Sequence, residues 1–228
     1  MTQPFINQTL RQSTLTICSL LLCSISAISE EAMQSDSTKV NVSEVLDFDK
    51  KWNYSNPAAT EVEFRKLLTE APASNLDYRA QLLTQIARTY SLRGDFTDAH
   101  ALLDEVSDLL ESNDLPVAAV RYQLERGRCF NSAGDKKKAV ELFTQAYDLS
   151  KSISADTYTI DALHMLGIAD EPAKALEWNN LAIEFCEKAT APNVKKWLSP
   201  LYNNTGWTYH GMGEFEKALT LFEKNVTY

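Results

Sequence analysis

The sequence predicts an all-α fold built from repeated antiparallel helix pairs. Three observations indicate this class. Glycine and proline are scarce, at 7 residues each in a chain of 228, which disfavours a turn-dense β fold. Apolar residues recur at the three- and four-residue spacing of amphipathic helices. One pattern of small residues returns about every 40 positions.

The residues ahead of the predicted helices divide into two segments. A basic residue precedes the apolar stretch 15–28 and small residues close it, so residues 1–29 are predicted to be a secretory signal peptide. Residues 30–56 are polar and unperiodic, which predicts a leader or linker. The helical domain is predicted to span residues 57–228. The signal predicts export to the periplasm or the extracellular space; if the segment is not a functional signal, a cytoplasmic protein is expected.

The helical domain repeats a small residue, an aromatic residue and a turn glycine at fixed spacing. The small residue stands at positions 87, 127, 167 and 206, which are 40, 40 and 39 residues apart. In three units, an aromatic residue follows after three positions, a glycine after seven and an alanine after twelve. They are Ala87, Tyr90, Gly94 and Ala99; Gly127, Phe130, Gly134 and Ala139; Gly206, Tyr209, Gly213 and Ala218. Small residues let two helices approach closely and glycine supplies the turn between them, so each unit predicts a helix pair.

Two parts of the domain depart from this pattern. Residues 57–70 are predicted to form an unpaired helix that covers the first pair. In the third unit, Asp170 replaces the aromatic residue and Ala175 follows Gly167 four residues earlier than the pattern requires. One helical turn is therefore expected to be missing near Pro172.

The repeated residues resemble the motif of the tetratricopeptide repeat family. The last unit matches the motif most closely, through Tyr202, Gly206, Tyr209, Gly213, Phe215, Ala218 and Phe222. The period near 40 is longer than the family's period of about 34. The resemblance implies a right-handed α-solenoid of antiparallel helix pairs, with about four units, one of them degenerate. In such a stack, the first helix of each pair lines a concave surface.

The resemblance also implies where a partner binds. In this family, first-helix residues on the concave surface contact a peptide. The matching positions are Gln85, Arg88, Arg121, Glu125, Arg128, His164, Asn203, Asn204 and Trp207. Because arginine binds carboxylates through paired hydrogen bonds and tryptophan supplies an apolar anchor, a protein or peptide ligand of acidic character is expected. The family's dicarboxylate clamp is not reproduced, so docking of a chaperone C terminus is not expected.

Other functions compete with peptide binding. Apolar residues near the C terminus, Leu219, Leu221 and Phe222, predict a self-assembling scaffold or regulatory module of the cell envelope as an alternative. A hydrolytic enzyme is the weaker alternative because the histidines lack the spacing of a metal pair and no phosphate loop or nucleophile elbow is present. No enzymatic activity, cofactor or metal is therefore expected. The net charge of −9, without a basic stripe, disfavours nucleic acid and anionic membranes as partners.

Overall fold

A computed structural model of the protein describes residues 47–227. Nine long helices follow one another in this part of the chain, which contains no strand. They are α1 Pro57–Glu70, α2 Leu76–Leu92, α3 Phe96–Ser112, α4 Pro116–Ser132, α5 Lys136–Ser152, α6 Asp156–Ala169, α7 Pro172–Lys188, α8 Leu198–Gly211 and α9 Phe215–Thr227. A 3-10 turn, Phe48–Lys51, precedes them, and a one-turn helix, Pro192–Lys195, lies ahead of α8. The predicted signal peptide and most of the predicted leader lie outside the described residues. Among the residues that are described, no helix is both long and apolar enough to cross a membrane.

The helices form the predicted solenoid of antiparallel pairs. The pairs are α2 with α3, α4 with α5, α6 with α7 and α8 with α9, and α1 packs against α2. The first helices α2 and α4 also pack side by side, so each pair covers an apolar face of its neighbour. The all-α repeat fold is thereby confirmed.

The turn glycines end the first helix of three pairs. Gly94, Gly134 and Gly213 have φ angles of +83°, +88° and +79°, a region that side chains other than glycine rarely adopt. The third pair lacks this turn. There α6 ends two residues after the small residue Gly167, whereas α2, α4 and α8 end five residues after theirs, and only Asp170 and Glu171 separate α6 from α7. The prediction that this unit lacks one helical turn is confirmed.

The small residues of the motif lie where paired helices touch. The Cα of Gly127 faces the fully buried ring of Phe143, and Gly206 faces Phe222 in the same way. Between the second and third pairs, fully buried side chains such as Leu124 and Leu166 belong to one apolar cluster.

The folded structure begins earlier than the helical period of the sequence predicts. Phe48 is only 5% exposed, and its ring packs edge-on against Phe64 at 5.9 Å and Tyr78 at 5.5 Å. Trp52 packs edge-on against Phe64 at 5.3 Å. Residues 47–56, predicted to belong to a polar linker, therefore lie against the helical domain. Two aromatic residues anchor this polar stretch, and they show no helical period from which the packing could have been predicted.

Candidate partner-binding groove

The first helices line a cavity of about 510 Å³, which we call the groove. Helices α2, α4 and α6 form its floor. The N-terminal segment, residues 47–56, forms one wall through Asp49, Trp52 and Tyr54, and Lys196 and Trp197 also line the cavity. A smaller cavity of about 220 Å³ shares Arg88 and Arg128 with the groove, so the concave surface continues beyond it.

Glu125 is the centre of an ionic network across the floor. Its carboxylate accepts hydrogen bonds from Arg88 at 3.0 Å, Arg128 at 2.7 Å and the Gln85 amide at 3.3 Å. Because Glu125 is only 4% exposed, its charge depends on these donors for solvation. Three residues that the sequence predicted to contact a partner are thus bonded to a fourth one.

Arg128 extends the network to the third unit. Its guanidinium donates to both carboxylate oxygens of Asp161, at 2.5 and 2.7 Å, while its other amino group holds Glu125. Burial by itself would lower the pKa of Arg128, but Asp161 and Glu125 outweigh it and raise the pKa above its ordinary value. Arg128 therefore stays charged and joins α4 to α6, while Glu125 joins α4 to α2.

Arg121 is held by the N-terminal segment. Its guanidinium donates two hydrogen bonds to the Asp49 carboxylate, through Nη1 at 3.1 Å and through Nη2, and its Nε donates to the Tyr158 hydroxyl at 2.7 Å. The ring of Phe48 lies 5.0 Å from the guanidinium carbon. Arg121 is only 6% exposed, because the N-terminal segment of the same chain covers it.

Two aromatic residues form a platform at the N-terminal wall. The rings of Trp52 and Tyr54 stack in parallel, with centroids 4.7 Å apart. The Trp52 indole N–H donates to the Gln85 side chain at 3.1 Å. Arg88 lies about 6 Å from both rings, at 6.0 and 5.8 Å, within the range of a cation–π contact.

His164 does not line the groove but packs against Trp197, which does. Its half-buried ring lies 5.1 Å from the indole, centroid to centroid. Burial lowers the pKa of His164, and the charge of Asp161 only partly opposes this effect. The imidazole is therefore neutral at pH 7.

The last three predicted residues lie apart from the groove, on α8. Asn203 and Asn204 are exposed and share a hydrogen bond of 3.4 Å between their side chains. Trp207 is 59% exposed, and its ring packs edge-on against Phe222 and His210. The structure thus brings together the predicted residues of the first two units and leaves those of the last unit separate.

Several groove residues were missed by the sequence analysis. Asp49, Trp52 and Tyr54 belong to the predicted linker, and Lys196 and Trp197 lie between two units. None stands at a repeat position, so the motif could not identify them. The aromatic residues in the polar stretch 47–56 were the only available signal.

Acidic residues in the groove do not form a metal site. Across residues 47–227, no group of three or more His, Cys, Asp or Glu side chains is arranged to hold a metal ion. The carboxylates described above face arginine side chains instead.

Two segments of the chain match a known family of helical repeats. Residues 79–112, which span α2 and α3, and residues 199–227, which span most of α8 and α9, each match the tetratricopeptide repeat family. These two segments of the chain are therefore tetratricopeptide repeats. No curated protein matches it.

Solved structures then show the same fold at low sequence identity. BtubC (BKLC) from P. vanneervenii is 16% identical with a TM-score of 0.59, over 79% of this chain and 73% of that one. The putative kinesin light chain TPR-like repeats of Podosopora anserina are 15% identical with a TM-score of 0.53, over 82% of this chain and 94% of that one. A substituted variant of those repeats aligns equally well, over 82% of this chain and 93% of the variant. These similarities establish the solenoid fold.

Proposed function

We propose that this chain is a protein-interaction module whose groove binds a peptide segment of acidic character. One observation supports this most strongly: Arg121 already holds the carboxylate of Asp49, a residue of the N-terminal segment that lies on the concave surface. A carboxylate of a partner peptide would form the same kind of hydrogen-bonded pair with the guanidinium group of a neighbouring arginine, Arg88.

The exposed residues of α8 would extend the contact. Asn203 and Asn204 offer amide groups for the backbone of a bound peptide, and Trp207 offers an aromatic surface. A partner spanning both regions would contact all nine residues predicted from the sequence or their immediate neighbours. We propose no enzymatic reaction, cofactor or nucleic acid for this module.

Affinity capture with paired baits tests the proposal. The full chain and an Arg88→Gln/Asn204→Ala variant are used as baits in lysate fractions of the native host, and retained proteins are identified by mass spectrometry. Arg128 is left intact, because removing it would leave buried carboxylates unpaired. We expect a stoichiometric partner that the variant loses.

The matched control is Arg126→Gln, which removes a charge outside the groove. Arg126 lies on α4, and its guanidinium donates a hydrogen bond of 2.5 Å to the carboxylate of Asp104, which belongs to α3. A partner retained equally by the full chain and both variants would contradict binding at the groove.

Self-association is a second candidate function, favoured by the last helix pair. Phe215, Leu219 and Val226 are 63%, 58% and 87% exposed and follow one another along α9. A second copy could cover them. Light scattering measures the molar mass of the wild type and of Leu219→Glu over a range of protein concentrations. A wild-type mass that equals that of the monomer at every concentration would reject self-association.

We also propose that the module acts outside the cytoplasm, on the basis of the predicted signal peptide. Fractionation of host cells tests the location, and recovery of the uncleaved chain in the cytoplasm would contradict it.

A further inference from the structure

We infer that a ligand carboxylate binds between Arg88 and Lys196, in a pocket whose fixed wall is the N-terminal segment, and not at Arg121 or Arg128. This inference rests on the proposed peptide binding and specifies its chemistry.

Arg121 and Arg128 are already saturated by carboxylates of the same chain. Arg128 donates to Glu125 and to both oxygens of Asp161, and Arg121 donates twice to Asp49. A ligand at Arg128 would have to displace the Glu125 or Asp161 carboxylate and leave it without a counter-charge in a poorly solvated place. A ligand at Arg121, which is only 6% exposed, would have to displace Asp49 and the segment that carries it. These two guanidinium groups therefore serve the structure of the floor.

Arg88 and Lys196 retain unused hydrogen-bond donors. Arg88 makes one hydrogen bond within residues 47–227, from Nη1 to Glu125, so its Nε and second amino group are available. Lys196 is exposed and lines the groove, with no ion-pair partner in the described part of the chain. Four basic and three acidic side chains line the groove, which leaves one positive charge for one ligand carboxylate.

The N-terminal segment is held too firmly to be a displaceable ligand. Phe48 is buried in the apolar cluster around Phe64, and the Trp52 indole is bonded to Gln85. Displacing the segment would expose both rings and break the pair between Arg121 and Asp49. Trp52 and Tyr54 would instead present their platform to the residue next to the ligand carboxylate. An acidic residue beside an aromatic one fits this pocket.

Nuclear magnetic resonance of the full chain tests the inference directly. The chain has four tryptophans, and the indole N–H signals of Trp52, Trp178, Trp197 and Trp207 are assigned by single Trp→Phe variants. The probes are acetyl-Gly-Asp-Tyr-Gly-amide, its Asn analogue, and acetyl-Gly-Tyr-Gly with a free terminal carboxylate. We expect saturable shifts of the Trp52 and Trp197 signals with a carboxylate probe, and at least about tenfold weaker binding of the Asn analogue. Tighter binding of the Asp peptide would identify the ligand group as a side-chain carboxylate, and tighter binding of acetyl-Gly-Tyr-Gly would identify it as a chain terminus.

Two double variants locate the binding site. Arg88→Gln/Lys196→Gln should weaken binding at least about tenfold, as expected for loss of charge-assisted hydrogen bonds. Arg126→Gln/Lys174→Gln removes the same charge outside the groove and should change it less than about twofold. Equal weakening in both variants would overturn the assignment, and so would the absence of any saturable shift.

Hydrogen exchange at the Trp52 indole N–H tests whether the N-terminal segment stays in place when the probe binds. With the probe bound, the indole N–H of Trp52 should keep its protection from hydrogen exchange. Loss of that protection would show that the probe replaces the N-terminal segment, which overturns the inference. If no probe binds but the capture experiment still loses its partner with Arg88→Gln/Asn204→Ala, this carboxylate subsite is rejected and the proposed function stands.

Discussion

Replacing Gly127 with alanine tests whether the small residue of each unit sets the separation of its paired helices. A Cβ at Gly127 would lie 2.5 and 2.8 Å from two ring carbons of Phe143. Phe143 is fully buried, so its ring has no free space to enter and the helices must separate. Overpacking of this kind costs about 1–3 kcal/mol, and the better helix propensity of alanine offsets up to about 1 kcal/mol. We expect Gly127→Ala to lower the free energy of unfolding by roughly 1–2 kcal/mol.

Urea unfolding followed by circular dichroism measures this loss. With a slope near 2 kcal/mol per molar urea, the midpoint should fall by about 0.5–1 M. Gly206→Ala is the matched control. Its Cβ would lie 2.6 Å from the ring of Phe222, but that ring is only half-buried and can move aside. We therefore expect a change of less than about 0.5 kcal/mol there. If Gly127→Ala were as stable as the wild type, close helix approach would not be the reason for the small residue. An equal loss in Gly206→Ala would show instead that the half-buried ring of Phe222 cannot move aside.

Three further predictions follow from buried groups. Glu125→Leu leaves Arg88 and Arg128 without a shared counter-charge, so urea unfolding should show a loss of about 3 kcal/mol; a loss below about 1 kcal/mol would count against the network. Burial raises the pKa of Cys186 to about 12, so iodoacetamide at about pH 8 should label it, by peptide mass spectrometry, only when urea unfolds the chain. Labelling at the same rate without urea would refute this protection. Because the folded-state pKa of His164 is lowered, its contribution to stability is present above about pH 6.5 and is lost as the pH falls through the unfolded and then the folded pKa. The free energy of unfolding should fall less steeply with acid in His164→Gln, and parallel curves would contradict the shift.

The helix pairs were predictable because their signals are local. The spacing from Ala87 to Gly94 and from Gly206 to Gly213 places a small residue and a turn at a constant distance along each first helix. Even the shortened third unit was visible, since Asp170 breaks the pattern where α6 ends.

The site was only partly predictable. The motif correctly placed Gln85, Arg88 and Arg128 on one surface, but it could not show that Glu125 bonds to all three. Gln85 and Glu125 are 40 residues apart in the chain. Helical periodicity describes which face a residue occupies within one helix and contains no information about partners on another.

The sequence by itself determined the all-α class, the order of the helix pairs and the surface on which polar residues collect, because helical period and turn chemistry depend on near neighbours. Only the tertiary structure decided which of those polar residues remain available. Asp49 reaches Arg121 across 72 positions, and this contact makes part of a supposed linker a wall of the groove. Such contacts arise because a buried charge is stable only next to a counter-charge, and the fold decides which counter-charge lies close to it. The spacing of a motif along the chain contains no information about which residues become neighbours in space.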